Sequence, residues 1–241
     1  MQSGEQALRF QVAAATLLLN ELGILGYSGH IGARLPGRDA LLIQSFEQSR
    51  STVKPGDLLI CDFDGKVVVG PAGVRPPSEV YLHCEIFRAR AGVNAIAHFH
   101  HDLTTAFTLA KGVKLAPVKN HAVRWASGIP VHADPGHVSD VKKGLALART
   151  LGKHHGLLIR AHGQVVVAET VPAALIDSIH FVENAQAMHY AASLGPVVPL
   201  KPAELKSFAD GFNRERHIDK LWDYYVGRGR ADGVLPADWK L

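Results

Sequence analysis

Cysteine is scarce in this sequence, which contains only Cys61 and Cys84 among 241 residues. Two separated cysteines exclude a disulfide-stabilised small fold and a CxxC redox or zinc motif. The first ten residues, MQSGEQALRF, also lack the basic start and the apolar block of a signal peptide. These features predict a cytoplasmic protein.

Long hydrophobic runs are missing as well. The longest apolar stretch, VAAATLLL at 12–19, is far shorter than the roughly 20 residues that a transmembrane helix needs. The formal net charge is +4, but the lysines and arginines are scattered and form no long basic run. We therefore predict no membrane and no nucleic-acid partner, and a small anionic molecule as the substrate.

Apolar residues are otherwise plentiful, at 47% of the chain against 20% charged residues, which is typical of a folded globular protein. The length fits one large domain better than two. Strand-like and helix-like segments alternate, which favours an α/β layered fold. Helices are predicted at 5–22, 76–92, 103–111, 138–151, 172–194 and 202–226, and strands at 39–45, 56–70 (a hairpin), 94–100, 129–132 and 156–169 (two strands).

The segment AIAHFHHD (95–102) concentrates three histidines within four positions. On a strand over 94–100, alternate side chains point to opposite faces, so His98 and His100 project from the same face, roughly 6–7 Å apart. Two imidazoles at that spacing can bind one metal ion. The alternative is a partly buried pair of histidines that hydrogen-bonds to the backbone.

A third ligand is predicted at His162, between two strongly apolar strands. His154 and His155 are weaker candidates, because they precede a strand and are typical of a solvated loop. Three histidines leave open positions for substrate on a catalytic metal. Glu79, in the first turn of a helix predicted over 78–90, is the candidate acid or base; alternatively, it is a helix-start acid without chemistry.

Four stretches together resemble the class II aldolase/adducin family: GYSGHIGARLPG (26–37), PPSE (76–79), HFH (98–100) and LLIRAHGQVVVAE (157–169). The resemblance implies a three-layer α/β/α sandwich on a central mixed sheet. It also implies one domain over 1–241 with a helical tail at about 200–241, and a homo-oligomer, usually a tetramer, with active sites at subunit interfaces. We expect Trp222, Tyr224 and Tyr225 of the tail to pack on a neighbouring subunit.

The same resemblance implies roles for the candidate residues. His98, His100 and His162 would bind a divalent metal ion, and Glu79 would be the catalytic acid or base. The expected ion is Zn²⁺ or Mn²⁺, while Fe²⁺ and Co²⁺ also suit imidazole ligands. To handle a proton in this way, Glu79 would need a pKa that its surroundings raise.

Most phosphate-binding residues of the family's sugar-phosphate aldolases are absent. His30 stands where those enzymes have an Asn, QSFEQSR (44–50) replaces a Thr-Gly turn, and of a pair of serines only Ser78 remains. The sequence is more similar to the decarboxylase branch, which implies a lyase that acts in catabolism on an aromatic or heteroaromatic hydroxy-dicarboxylate, of the dihydroxyphthalate or hydroxymethylpyridine-dicarboxylate type. His30, Arg75 and Ser78 are the predicted substrate-binding residues.

Three other functions stay open. One is a class II aldolase that cleaves a sugar or sugar phosphate by a retro-aldol reaction, and the altered phosphate loop argues against it. Another is an adducin-like interaction domain without activity, which has no need of buried histidines that face one another. The third is an iron-dependent oxygenase, which three histidines with open metal positions also permit.

Overall fold

The computed structural model describes residues 2–239, and its centre is one eight-stranded sheet. The strands are β1 (His30–Arg34), β2 (Ala40–Ile43), β3 (Leu59–Asp62), β4 (Val67–Val69), β5 (Ala95–Phe99), β6 (Val131–His132), β7 (Gly156–Ile159) and β8 (Gly163–Ala168). Their order in the sheet is β4-β3-β2-β1-β5-β8-β7-β6. The β6–β7 pair is parallel and the other neighbours are antiparallel, so the sheet is mixed, as predicted.

Helices cover both faces of the sheet. They are α1 (Gln2–Glu21), α2 (Val80–Ala89), α3 (Asp102–Ala106), α4 (Val141–Leu151), α5 (Val171–Leu194), α6 (Pro202–Asp210) and α7 (Arg214–Ala231), with 3-10 helices at Pro55–Asp57 and Asn120–Trp125. One core lies under α1, α5 and α7, and a second lies under α2 and α4. The predicted three-layer α/β/α sandwich is confirmed. No helix within residues 2–239 combines the length and the apolar character that a membrane span needs.

Alternation along β5 divides its side chains between the two cores. Ala95, Ala97 and Phe99 belong to the core under α1 and α5, whereas Ile96 belongs to the core under α2 and α4. Because successive side chains of a strand point to opposite faces, His98 projects on the same side as Ile96. His98 therefore lies on the face of the sheet that α2 covers, and Glu79 directly precedes this helix.

Local sequence explains where the long helices begin. The side chain of Asp140 accepts a hydrogen bond from the backbone amide of Lys143 at the start of α4, and Thr170 does the same for Ala173 at the start of α5. Such caps satisfy amides that have no partner within the helix. Pro172 also lies in the first turn of α5, where its missing N–H costs nothing.

Two predicted helices differ from the structure. The helix predicted over 103–111 is only the five-residue α3, and turns replace its second half. The helix predicted over 202–226 is two helices, because α6 ends before Gly211 and the side chain of Asn213 caps α7. Trp222 is buried in the core of its own chain, so the expectation that it packs on a neighbouring subunit is wrong.

Candidate active site

Strand pairing brings the predicted histidines to one end of the sheet. β5 lies between β1 and β8, and its residue His98 is paired directly with His30 of β1. His100 follows the last residue of β5, and His162 lies in the turn that joins β7 to β8. The ring centroids of His98 and His100 are 4.6 Å apart, and those of His100 and His162 are 5.0 Å apart.

Two backbone features of the β7–β8 turn position His162. Ala161 has a φ of 54°, and it is the only non-glycine residue with a positive φ in the described chain, a conformation that side chains disfavour. At Gly163, an added Cβ would lie 2.5 Å from the carbonyl oxygen of Phe99 and 3.0 Å from Cδ2 of His100. The glycine after His162 therefore lets this turn approach β5 closely.

Three imidazoles and one carboxylate converge at this point. Each of Glu79, His98, His100 and His162 offers a ligand atom, and these four atoms all lie within 4.8 Å of one another. Nε2 of His98 is 3.1 Å from Oε2 of Glu79, and Nε2 of His162 is 3.1 Å from Nε2 of His100. The structure thus brings together the four residues that the sequence predicted for metal binding and acid–base chemistry.

The outer nitrogens of two imidazoles already have hydrogen-bond partners. Nδ1 of His98 donates to the carbonyl oxygen of Gln164 over 2.9 Å, which leaves Nε2 as the ring nitrogen that faces Glu79. Nδ1 of His100 lies 3.1 Å from Oγ of Ser28. Partners of this kind orient metal-binding histidines in proteins.

This donor set fits a divalent cation. Burial, followed by the neighbouring charges of His98 and His162, lowers the pKa of His100 to about 3, so its ring is neutral near pH 7. Burial lowers the pKa of His162, but the hydrogen bond and the charge of Glu79 outweigh it and raise that pKa. The Glu79 carboxylate thus already attracts positive charge to this cluster. A cation between the four side chains satisfies all of them, and imidazole with carboxylate suits Zn²⁺, Mn²⁺, Fe²⁺ and Co²⁺.

Glu79 is the N-cap residue of α2 rather than a residue of its first turn. It is buried, and its Oε1 accepts a hydrogen bond from the backbone amide of Val138 over 3.0 Å. Burial alone would raise the pKa of this carboxyl, but the charge of His98 and hydrogen bonds from His162 and His98 outweigh it and hold the pKa below its usual range. The expected raised pKa is therefore wrong, and the group is a carboxylate.

Family comparison agrees with this arrangement. The sequence model of the Class II Aldolase and Adducin N-terminal domain matches residues 10–189, which include all four of these residues. The chain belongs to this family.

Relatives in the class II aldolase family have several activities. The chain is 25% identical over 236 residues to a 3,4-dihydroxyphthalate decarboxylase of Rhodococcus jostii, covering 92% of this chain and 96% of the relative. It is 28% identical over 171 residues to a methylthioribulose-1-phosphate dehydratase of Granulibacter bethesdensis, covering 64% of this chain and 78% of the relative. A crystal structure of an aldolase II superfamily protein from Pseudomonas syringae superposes with a TM-score of 0.83 at 24% identity, covering 95% and 94% of the two chains.

A cavity of about 710 Å³ opens above the four residues of this class II aldolase family site. Three of the four residues that were predicted to bind substrate or to move a proton line this cavity, namely His30, Ser78 and Glu79. Arg50 and Phe46 form another part of the wall. Beside a metal-binding cluster, an arginine can donate hydrogen bonds to a carboxylate, and an aromatic ring can pack against a flat apolar group.

Arg75, the fourth residue predicted to meet substrate or proton, is not among the residues that line the cavity. Its Nε donates to Oε1 of Glu47 over 2.9 Å, and its guanidinium carbon lies 4.2 Å from the ring centroid of Phe46. The Arg75 guanidinium therefore packs on the ring of Phe46, and the side chain of Arg75 is largely exposed. Arg50 is the arginine at the cavity, and its Nε donates to the carbonyl oxygen of Gly29 over 2.8 Å.

His30 is committed to another histidine. Its Nδ1 lies 2.7 Å from Nε2 of His83, and both rings are buried. Burial first, then the charges of His83 and His98, holds the pKa of His30 well below its usual value. One ring nitrogen of His30 is thus unavailable to substrate. The ring of His30 packs beside that of His98, and their centroids are 5.1 Å apart.

Sequence reasoning missed three residues of this region. His83 was not among the predicted site residues, although it follows Glu79 by four positions, the helical spacing that puts two residues on one side. His137 lines the cavity and its ring centroid is 5.6 Å from that of His162. Arg50 lies within QSFEQSR (44–50) and was not among the predicted site residues, because no local pattern separates it from a surface arginine.

Proposed function

We propose that this protein is a divalent-metal-dependent carboxy-lyase that decarboxylates an aromatic or heteroaromatic hydroxy-dicarboxylate in catabolism. The observation that carries the proposal is the convergence of Glu79, His98, His100 and His162 beneath a cavity with an aromatic and an arginine wall. The near full-length similarity to a 3,4-dihydroxyphthalate decarboxylase supports the choice of substrate class.

Substrate binding follows from the cavity wall. A divalent ion held by His98, His100 and His162 would act as a Lewis acid that draws electron density from the oxygen beside the reacting carbon. Nε and Nη1 of Arg50 donate to backbone carbonyl groups, so Nη2 is the guanidinium nitrogen that would donate to the second carboxylate. Phe46 and Pro77 supply apolar surface for the ring. In the product, a hydrogen atom would replace one carboxylate of the substrate.

Glu79 handles the proton in this proposal. Its carboxylate takes the proton from the ring hydroxyl, and the resulting negative oxygen pushes electrons into the ring. The carboxyl of Glu79 then gives that proton to the ring carbon that bears the carboxylate. As the carbon–carbon bond breaks, its electron pair returns to the ring, CO₂ leaves, and Glu79 is a carboxylate again. The lowered pKa keeps Glu79 in the carboxylate form from which the first step starts, and it also makes the carboxyl formed in that step a strong acid towards the ring carbon.

The alternative is an aldolase that cleaves a sugar or sugar phosphate. The surroundings of the cavity support it poorly, because His30 replaces the amide of the phosphate loop and is paired with His83. The similarity to a phosphosugar dehydratase covers only 64% of this chain. These points favour the carboxylate substrate.

We also propose a homo-oligomer, a tetramer or a multiple of it, with active sites at the subunit interfaces. The cavity rim supports this, because Tyr27 lines the cavity and is 93% exposed in the single chain. A neighbouring subunit would cover such an aromatic rim. A single domain over 1–241 and a cytoplasmic location stay predictions.

The reaction can be tested with a substrate panel. Protein loaded with Zn²⁺, Mn²⁺, Fe²⁺ or Co²⁺ is incubated with hydroxyaryl dicarboxylates and, separately, with sugar phosphates, while CO₂ and triose phosphate are measured. Release of CO₂ without triose phosphate supports the carboxy-lyase. Release of triose phosphate alone selects the aldolase. Oxygen consumption that depends on Fe²⁺ would contradict both and indicate an oxygenase.

A further inference from the structure

A second group of side chains that could hold a metal ion lies outside the candidate active site. His121 is in the 3-10 helix Asn120–Trp125, and His180 and Glu183 are on α5. One ligand atom from each residue lies within 4.8 Å of the others. His180 and Glu183 are three positions apart, a spacing that puts two helical side chains on the same face.

The two sites are at opposite ends of β7. The cavity next to His121 and His180, about 280 Å³ in volume, is also lined by His155, which directly precedes β7. His162 follows the other end of that strand. None of the residues that line one cavity lines the other. The second cluster is therefore separate from the chemistry proposed above.

Buried nitrogen atoms without hydrogen-bond partners indicate that the second cluster can bind a ligand. Nε2 of His121 has no hydrogen-bond partner and lies 3.7 Å from Oε2 of Glu183. Nε2 of His217, on α7, is likewise buried without a partner, and the ring centroid of His217 is 5.4 Å from that of His180. A buried polar atom left unpaired is costly, and a bound ion removes that cost.

The charges of the cavity favour a cation over an anion. One ligand atom each of His121 and His180 lies within 4.8 Å of a carboxylate oxygen of Glu183, and this carboxylate attracts a cation and repels an anion.

The two arginines of this cavity are already neutralised. Arg214 forms ion pairs with Asp177 and Glu169, and Arg124 forms ion pairs with the same two acids. They hold little unpaired charge for an anionic ligand. A further cation, Lys119, donates to Oε2 of Glu183 over 3.1 Å from a side chain that is 39% exposed. That side chain can turn to solvent when a metal takes its place.

We propose that His121, His180 and Glu183 form a second metal site, which takes a divalent transition-metal ion such as Zn²⁺. The ring of His217 lies beside that of His180, with the two ring centroids 5.4 Å apart. Two imidazoles with one carboxylate match the ligand preference of Zn²⁺, Ni²⁺ and Cu²⁺, and exclude Mg²⁺ and Ca²⁺, which prefer oxygen alone. Bound metal would join the 3-10 helix to α5 and stabilise the fold.

The test counts ions in protein whose first site has been removed. His100→Ala and His162→Ala together remove two of the three histidine ligands of the active site, and the readout is Zn²⁺ binding rather than turnover. Zn²⁺ binding is then measured by competition with a chromophoric chelator, and thermal unfolding is followed with and without Zn²⁺. We expect about one bound Zn²⁺ per chain and a rise in Tm.

Variants in that background identify the ligands. We expect His180→Ala, and independently Glu183→Gln, to weaken Zn²⁺ binding by about tenfold or more. His189→Ala is the matched control, because His189 is an exposed histidine on the same helix. Glu183→Gln changes a side chain that is 37% exposed, so it tests the site even if His180→Ala fails to fold.

Three outcomes would overturn this proposal. In the first, the background protein binds no Zn²⁺. In the second, Zn²⁺ affinity is the same in the Glu183→Gln and His189→Ala variants. In the third, inorganic phosphate raises Tm in a manner that requires His180 while Zn²⁺ does not, and the cavity is then an anion site.

Discussion

The backbone amide of Val138 donates a hydrogen bond to Oε1 of Glu79 over 3.0 Å, while Oε2 of the same carboxylate faces His98 and His162 at 3.1 and 3.6 Å. One oxygen of Glu79 is therefore fixed by the backbone and the other points to the metal-binding cluster. This division lets the carboxylate exchange a proton at Oε2 without losing its position.

The first prediction concerns Glu79→Gln. Glutamine has the same shape, and its carbonyl oxygen can still accept from Val138, so the fold and the three histidines should be unchanged. It cannot take up and release a proton, and we expect kcat to fall by about 10²–10⁴-fold, with metal content retained. Steady-state kinetics and metal analysis measure this. Glu85→Gln, a second buried acid on α2, is the control, and near-full activity of Glu79→Gln would refute the acid–base assignment.

The second prediction separates Arg50 from Arg75. Arg50 lines the cavity, whereas Arg75 is paired with Glu47. Loss of a charge-assisted hydrogen bond costs about 1.5–3 kcal/mol, so Arg50→Met should raise KM for a dicarboxylate by about 10–100-fold. The KM for the matching monocarboxylate should change much less.

Arg75→Met is the matched control, and it should leave both KM values close to those of the unaltered protein. Arg50 also donates to the carbonyl oxygen of Gly29, so thermal unfolding of each variant is measured alongside the kinetics. If Arg75→Met raises KM for the dicarboxylate and Arg50→Met does not, the assignment made from the sequence is right and the one made from the cavity is wrong.

Local periodicity explains why part of the site could be predicted. The alternation of a strand is enough to put His98 and His100 on one side, and the apolar strands around His162 predict a turn at a sheet edge. What could not be predicted depends on chain segments that meet only in the fold. The carbonyl oxygen of Gly29, which is distant in sequence, accepts from Nε of Arg50 and holds its side chain at the cavity. The pKa of Glu79 likewise depends on imidazoles from distant segments.

The helical tail shows a similar limit. A single helix over 202–226 is consistent with the apolar spacing, but Gly211 and the capping side chain of Asn213 divide it into α6 and α7. Gly and Asn are typical of helix ends, so that signal was present in the sequence. The burial of Trp222 in its own core was not, because periodicity does not say which surface an apolar face covers.

The third prediction concerns the close contact between Gly32 and His83. A Cβ at Gly32 would lie 2.4 Å from Nδ1 of His83, so Gly32→Ala must displace the ring that supports His30. Overpacking of this kind costs about 1–3 kcal/mol, and we expect a fall of that size in the free energy of unfolding. Urea denaturation measures it. Gly92→Ala, where an added Cβ meets nothing within 4 Å, is the control, and equal midpoints for the two variants would contradict the prediction.

The last prediction concerns acid stability and the ion pairs of Glu169. Burial would raise the pKa of Glu169, but its hydrogen bond from Arg214 and the charges of Arg124 and Arg214 lower it to about 2 from an unperturbed 4.5. Below that unperturbed value the unfolded chain takes up a proton that the folded chain refuses. The stabilisation is therefore complete above about pH 4.5 and is lost as the pH falls towards 2.

Urea midpoints across this pH range test the prediction. Arg214→Met removes the main partner of Glu169, so it should lower the midpoint at neutral pH and reduce its fall in acid. The side chain of Glu169 is 44% exposed, and solvent screening limits the size of the effect. Arg228→Met is the matched control, since the pair between Arg228 and Asp232 is exposed on both sides. If Arg214→Met and Arg228→Met have the same acid dependence, the ion pairs of Glu169 do not cause the loss of stability in acid.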